Sequence, residues 1–179
     1  MSGRHFAVSA VGADRPGIVA GVTGALVELG CNLEDTSMTV LRGRFAMVLI
    51  VAGPEDLQAE AVEAALGPVG ADLGLAVWVH DVAELEPAAT EGESWAVAVH
   101  GADRPGIVHD VAAVLAGAGV NIVDLSTRVL SGDQPVYAMI LEIVLPPGSD
   151  PDALDRELAG LSARIGVACS MHPSGADIL

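Results

Sequence analysis

The chain changes hydrophobic period in a fixed order, and does so twice. Phe6–Val11 is a short apolar, β-branched run and predicts a strand. Between Pro16 and Leu29 the apolar residues Ile18, Val22, Leu26 and Leu29 recur at helical spacing, with Gly30 as the stop. Asn32–Leu41 places Leu33, Met38 and Val40 among polar neighbours, Arg42-Gly43 is a tight turn, and Phe45–Val51 returns as a second apolar strand, so the pair predicts a hairpin. Pro54 suits a first helical position, a helix is expected from Glu55 to Leu66, and Leu73–Val79 closes the unit as a strand.

The second half repeats this order: strand Trp95–His100, helix Pro105–Ala118, strands Asn121–Leu130 and Val136–Val144. A helix follows with a Ser149/Asp150 cap, Pro151 and a stripe at Leu154, Leu158 and Leu161, then a strand at Ile165–Met171. Without a gap, 18 of the 35 positions in Ala7–Leu41 are identical to those in Ala96–Leu130. Units of about 80 residues are too long for a solenoid and fit small domains. The expected fold is α+β: two ferredoxin-like βαββαβ units, each a four-stranded antiparallel sheet with two helices on one face. The expected boundaries are 1–82 and 94–173 for the domains, 83–93 for an acidic linker and 174–179 for a tail.

Composition narrows the functions. Twenty-four acidic residues against eight arginines and no lysine give a net charge of −16. Such a field repels phosphate backbones and anionic lipid, so neither direct nucleic-acid binding nor membrane docking is expected. No apolar run approaches the roughly 18–20 residues of a bilayer span, and the N-terminus lacks a signal-peptide core, so a cytoplasmic location is expected. Cys31 and Cys169 have no metal-ligand or CxxC spacing and are expected to be reduced, buried thiols. No metal and no cofactor is implied.

The candidate chemistry lies in GADRPGIV, present at Gly12–Val19 and again at Gly101–Val108. It falls at the turn between first strand and first helix. Pro16 is pre-set to open a helix, Arg15 is then expected at the cap, and Asp14 can accept from first-turn amides or from a ligand's ammonium. Gly12 and Gly17 allow close approach, and the positive helix end suits a carboxylate. Either copy alone is explained as a good turn. The following residues have diverged, Ala20-Gly21 against His109-Asp110, while the turns have not, and this favours binding.

Ile18-Val19 occupy the place where a phosphate-binding loop needs Lys-Ser/Thr, and there is no GxGxxG and no GxSxG. His100 and His109 flank the second loop only, so a shared mechanism cannot use them. The protein is expected not to be an enzyme. The second repeated feature is Gly30-Cys31-Asn32 and Gly119-Val120-Asn121, followed by Asp35 and Asp124. Helix termination and strand entry account for it. The first two strands of a unit run parallel, so Asn32 lies at the opposite end of its domain from Asp14. If the two units pack with pseudo-two-fold symmetry, Asn121 approaches the Asp14 loop and Asn32 the Asp103 loop.

These residues together resemble the ACT domain family, regulatory modules of ferredoxin-like fold that often bind amino acids. The resemblance runs from Phe6 to Met171, through both GADRPGIV loops, both Gly-x-Asn-(Leu/Ile)-x-Asp segments and Phe/Tyr-Ala-Met in the third strand. A stand-alone tandem looks most like the glycine cleavage system transcriptional repressor group. The loop is also similar to the N-terminal domain of formyltetrahydrofolate deformylases, whose catalytic domain has no counterpart here. The resemblance implies ligand-binding residues Gly12, Asp14, Arg15, Pro16, Gly17 and Ile18 with Asn121, and Gly101, Asp103, Arg104, Pro105, Gly106 and Ile107 with Asn32. The serine-binding relatives carry a histidine where Gly12 and Gly101 stand, so serine specificity is not implied. The implied function is a regulator that binds a small amino acid between ACT units and signals to a partner protein, with a ligand-free assembly scaffold as the rival. Exposed edge strands are compatible with a homodimer.

Overall fold

The computed structural model describes residues 3–82, 91–130 and 136–174. The chain divides into two compact units, Met1–Glu86 and Pro87–Leu179. In the first, β1 (Arg4–Ala13), α1 (Ile18–Glu28), β2 (Asn32–Leu41), β3 (Arg44–Gly53), α2 (Ala59–Leu73) and β4 (Leu75–Val82) form an antiparallel sheet of order β2-β3-β1-β4. The second unit repeats it with β5 (Glu93–Ala102), α3 (Ile107–Gly117), β6 (Asn121–Leu130), β7 (Val136–Leu145), α4 (Pro151–Ile165) and β8 (Val167–Pro173), in order β6-β7-β5-β8. Both are the expected ferredoxin-like βαββαβ sandwiches. The expected linker 83–93 falls largely on 83–90, outside the described residues, and so does most of the expected tail; Glu93 already belongs to β5.

Alternation along the strands decides which sheet face is covered. Phe6, Val8 and Ala10 of β1 and Phe45, Met47, Leu49 and Val51 of β3 are buried and meet Ile18, Val22 and Leu26 of α1 and Val62 and Leu66 of α2. The second core repeats this, with Val97, Val99, Met139, Leu141 and Ile143 under Ile107, Val111, Leu115, Leu154, Leu158 and Leu161.

The helix boundaries differ from the periodic pattern. Neither Pro16 nor Pro105 is helical; α1 and α3 begin at Ile18 and Ile107, and the caps are Gly17 (φ 94°) and Gly106 (φ 97°) rather than Arg15 and Arg104. Those left-handed φ values favour glycine, which explains Gly17 and Gly106. Pro54 starts a turn, Leu57 N donating to its carbonyl at 3.1 Å, and α2 begins only at Ala59. At its other end α2 runs through Gly67-Pro68 to Leu73. Pro68 and Ala64 are exposed, so water can reach the carbonyl that lost its donor, while the partly buried Val69 and Leu73 continue the apolar stripe. The expected Asp150 cap of α4 is present: its Oδ1 accepts from Asp152 N and Ala153 N.

Candidate ligand-binding loops

Most of the octapeptide has a structural task. A Cβ on Gly12 would lie 2.6 Å from the Gly74 carbonyl oxygen, so this position admits only glycine beside the start of β4. Gly101 fits less tightly against the start of β8, a Cβ there standing 3.0 Å from Val167 Cγ1 and 3.1 Å from its Cα. Ile18 and Ile107 are each 2% exposed and belong to the two cores, so their side chains are unavailable to a ligand, in contrast to their backbone amides. Both arginines reach across to the second helix of their unit. Arg15 Nη1 donates to the Asp72 carbonyl at 3.3 Å, and Arg104 Nε donates to the Ile165 carbonyl at 3.2 Å. Both therefore cap the C-terminal turn of the second helix of their unit, where a cation meets unpaired carbonyls and the negative end of the helix dipole. Motif spacing gave no sign of this, because the partner lies 57 residues away in one copy and 61 in the other.

Asp14 and Asp103 remain. Their side chains are exposed and, among the described residues, make no hydrogen bond or ion pair. The Asp14 backbone is held in place, its N–H donating to the Gly43 carbonyl of the β2–β3 turn at 2.9 Å. Neither α1 nor α3 has a side-chain cap. The first intrahelical donors are Gly21 N, to Gly17 O, and Asp110 N, to Gly106 O, which leaves the three preceding amides of each helix without an intrahelical acceptor. A carboxylate beside uncapped amides can take both ends of a zwitterion: amides for the carboxylate, Asp for the ammonium. The loops are not electrostatically equal. The first turn of α1 has no acidic residue, whereas α3 carries Asp110, whose Oδ2 is paired with Arg104 Nη2 at 3.1 Å. The divergence of Gly21 and Asp110 was visible in the sequence; its pairing with Arg104 was not.

The Gly-x-Asn motif divides in the same way. Gly30 N bonds to Val27 O and Cys31 N to Leu26 O, while Gly119 N bonds to Ala116 O and Val120 N to Leu115 O. This is the Schellman closure, with Cys31 and Val120 as its buried apolar contact. Asn32 and Asn121 are left exposed at the starts of β2 and β6. Asn32 pairs with Ala52 and Gly12 with Phe45, so about 23 Å of strand separates Asn32 from its own loop. Within one unit the two motifs do not meet. Among the described residues no group of three His, Cys, Asp or Glu could hold a metal, and no helix is long and apolar enough to cross a membrane.

An ACT domain family model matches residues 4–80, and a second ACT domain model matches residues 95–158. The glycine cleavage system transcriptional repressor of Escherichia coli is 27% identical over 161 residues, 89% of this chain and 84% of that protein. A UPF0237 protein of Methanopyrus kandleri is 47% identical over 73 residues, covering 40% of this chain and 81% of that protein, the length of one domain. Among solved structures, an unknown protein from Galdieria sulphuraria aligns with a TM-score of 0.81 at 27% identity, over 97% of this chain and 99% of that one.

Proposed function

The chain belongs to the ACT domain family, and from that premise we propose that it is a non-catalytic regulatory protein that binds a small amino acid and reports its presence to a partner protein. The observation that carries this reading is the pair Asp14 and Asp103. In an octapeptide whose glycines, arginines and isoleucines are all committed to the fold, these two carboxylates are exposed and unpaired among the described residues, beside uncapped helix amides.

In this reading Asp14 with the amides of α1, and Asp103 with the amides of α3, hold the ligand; Asn32 and Asn121 lie too far from the loops of their own units to complete either site within one unit. Ligand acts by binding one arrangement of the units more tightly than another, and a partner protein reads the shift. The E. coli relative suggests transcriptional control of amino-acid metabolism, and we place that role in the cytoplasm as part of the same proposal. With a net charge of −16, that control passes through another protein rather than through direct contact with DNA.

The test is thermal unfolding of the purified chain against the common amino acids, glycine and serine included. A ligand at 100 times its Kd adds about 2.7 kcal/mol of stability. For a chain of this size that raises the midpoint by several degrees, at roughly 2–4 °C per kcal/mol. A selective rise supports the sensor. A flat panel at millimolar concentrations argues for an assembly module without a ligand.

A further inference from the structure

The faces of the two sheets that carry no helix differ in a way that folding does not explain. In the first unit, the residues that point away from the helices include Val11 on β1, Val48 and Ile50 on β3 and Trp78 on β4. Trp78 is 50% exposed, Val48 49% and Val11 42%, with Ser9 registered between Val48 and Trp78. No ionisable side chain interrupts this centre; Asp35, His5 and His80 stand around it.

The second unit supplies an internal control, because duplication gives it the same registers. Where the first has Val11, Ile50 and Trp78, the second has His100, Glu142 and Ser170. Both units build the same sheet over the same kind of core, so the fold does not require apolar residues at these positions. The second face keeps an apolar residue where the first has Val48, namely Ile140 at 56% exposed, but His100 and Glu142 break it, so only the first has a centre free of ionisable groups.

We propose that the helix-free face of the first unit is the interface of a homodimer, packed against the same face of a second copy. This goes beyond the ligand-sensing reading and does not depend on it. Three considerations select that occupant. Strands about 4.8 Å apart and about 33 Å long give the four-stranded face an area of about 600 Å², so two faces cover about 1,200 Å², the lower bound of a stable specific interface. Each copy carries a net charge of −16, and a centre without ionisable groups is where two such chains meet without burying like charge. The face is also self-complementary in relief. A two-fold axis can set the bulky Trp78 of one copy against the small Ala7, Ser9 and Ala46 of the other. The chain's own second face, with Glu142, His100 and Arg128, is a poor match for it.

The experiment grafts the sister face onto the first unit: Val11→His, Ile50→Glu and Trp78→Ser together, each a residue the same fold already accommodates at the matching position. Sedimentation equilibrium of the full chain at micromolar concentration should give twice 18.1 kDa for the unaltered protein and 18.1 kDa for the graft, with the dimer Kd raised about a hundredfold or more. Far-UV circular dichroism and cooperative unfolding should be retained. Ile140→Glu, the control on the second face, should leave the dimer intact. A monomeric unaltered protein overturns the proposal, and so does a graft that folds and still dimerises. A monomer in which acrylamide fails to quench Trp78 overturns the second copy as occupant and assigns the cover to the chain itself.

Discussion

Arg15 donates from Nη1 to the carbonyl of Asp72 at 3.3 Å, and this bond ties the loop carrying Asp14 to the far end of α2. Arg104 does the same for α4 through Ile165 and also reaches the Pro105 carbonyl and Asp110 Oδ2. The arginine of the octapeptide is therefore an anchor.

Removing it should loosen the loop and lower stability. A cation at a helix C-terminus contributes about 0.3–1 kcal/mol when exposed. Arg15→Ala, with one long bond at an exposed site, should fall at the lower end. Arg104→Ala removes a fork with three acceptors, two of its bonds partly buried, and should fall at the upper end. Arg104→Lys should recover little, since one ammonium cannot reproduce that fork. Urea titrations of the three variants measure the order, and equal losses for Arg15→Ala and Arg104→Ala would contradict it.

Gly12 and Gly17 should fail for different reasons. Nothing lies within 4 Å of a Cβ placed on Gly17, so Gly17→Ala pays only for the left-handed φ of 94°, about 1–2 kcal/mol. On Gly12 the Cβ would stand 2.6 Å from Gly74 O and 2.8 Å from Leu75 Cδ2, and the β1–β4 ladder must shift. Gly12→Ala should therefore cost more than Gly17→Ala in chemical denaturation. The reverse order would mean that the strand end yields more easily than the cap.

The same loop marks how much was legible in the sequence. The periods of Ile18, Val22 and Leu26 and of Phe45–Val51 specify helix and strand because they record which side is buried. Duplication made the topology legible twice, and Asp150 announced its cap. α2 outruns its expected end at Leu66, because packing of Val69 and Leu73 carries the helix through Gly67-Pro68. α1 starts later than the expected Pro16, because the turn continues through Gly17, which takes φ 94°, before Ile18 opens the helix. The anchoring role of Arg15 was hidden, since it depends on where α2 ends, a tertiary fact. Asp14 and Asn32 were legible as motif residues, but only the structure shows them to be the members left without a task.

Asp150→Ala should destabilise the second unit. It removes the acceptor of the Asp152 and Ala153 amides at 3.0 and 3.2 Å, and loss of such a cap costs about 1 kcal/mol. The paired bonds make a loss near zero incompatible with the cap. Calorimetry of the variant reads it directly.

Cys31 is the buried contact of the Schellman turn, and burial pushes its thiol pKa up from the ordinary 9.0. The neutral thiol is then favoured in the native state. Between the unfolded and folded pKa values the native chain holds the extra proton, so this site's contribution to stability falls as pH rises past 9.0. At pH 8 Cys31 should react slowly with an aromatic disulfide, while the half-buried Cys169 reacts faster. Both should titrate after denaturation. Two equally fast thiols in the native protein would mean that the α1–β2 junction opens readily.

The decisive variants are Asp14→Ala and Asp103→Ala. Both side chains are exposed and without a described partner, so neither change should alter the stability of the unliganded protein by more than about 0.5 kcal/mol. Any ligand-induced rise should disappear in the double variant. The single variants should differ, because α1 presents its free amides without a nearby carboxylate, whereas α3 already carries Asp110 in its first turn. A carboxylate-bearing ligand is favoured at the α1 end by the absence of that repulsion. Asp14→Ala should therefore remove the greater part of the response, and Asp103→Ala the lesser. A full response in the double variant would place the amino acid elsewhere on the chain. A larger loss from Asp103→Ala would mean that the Arg104–Asp110 pair attracts the ligand instead of screening the helix from it.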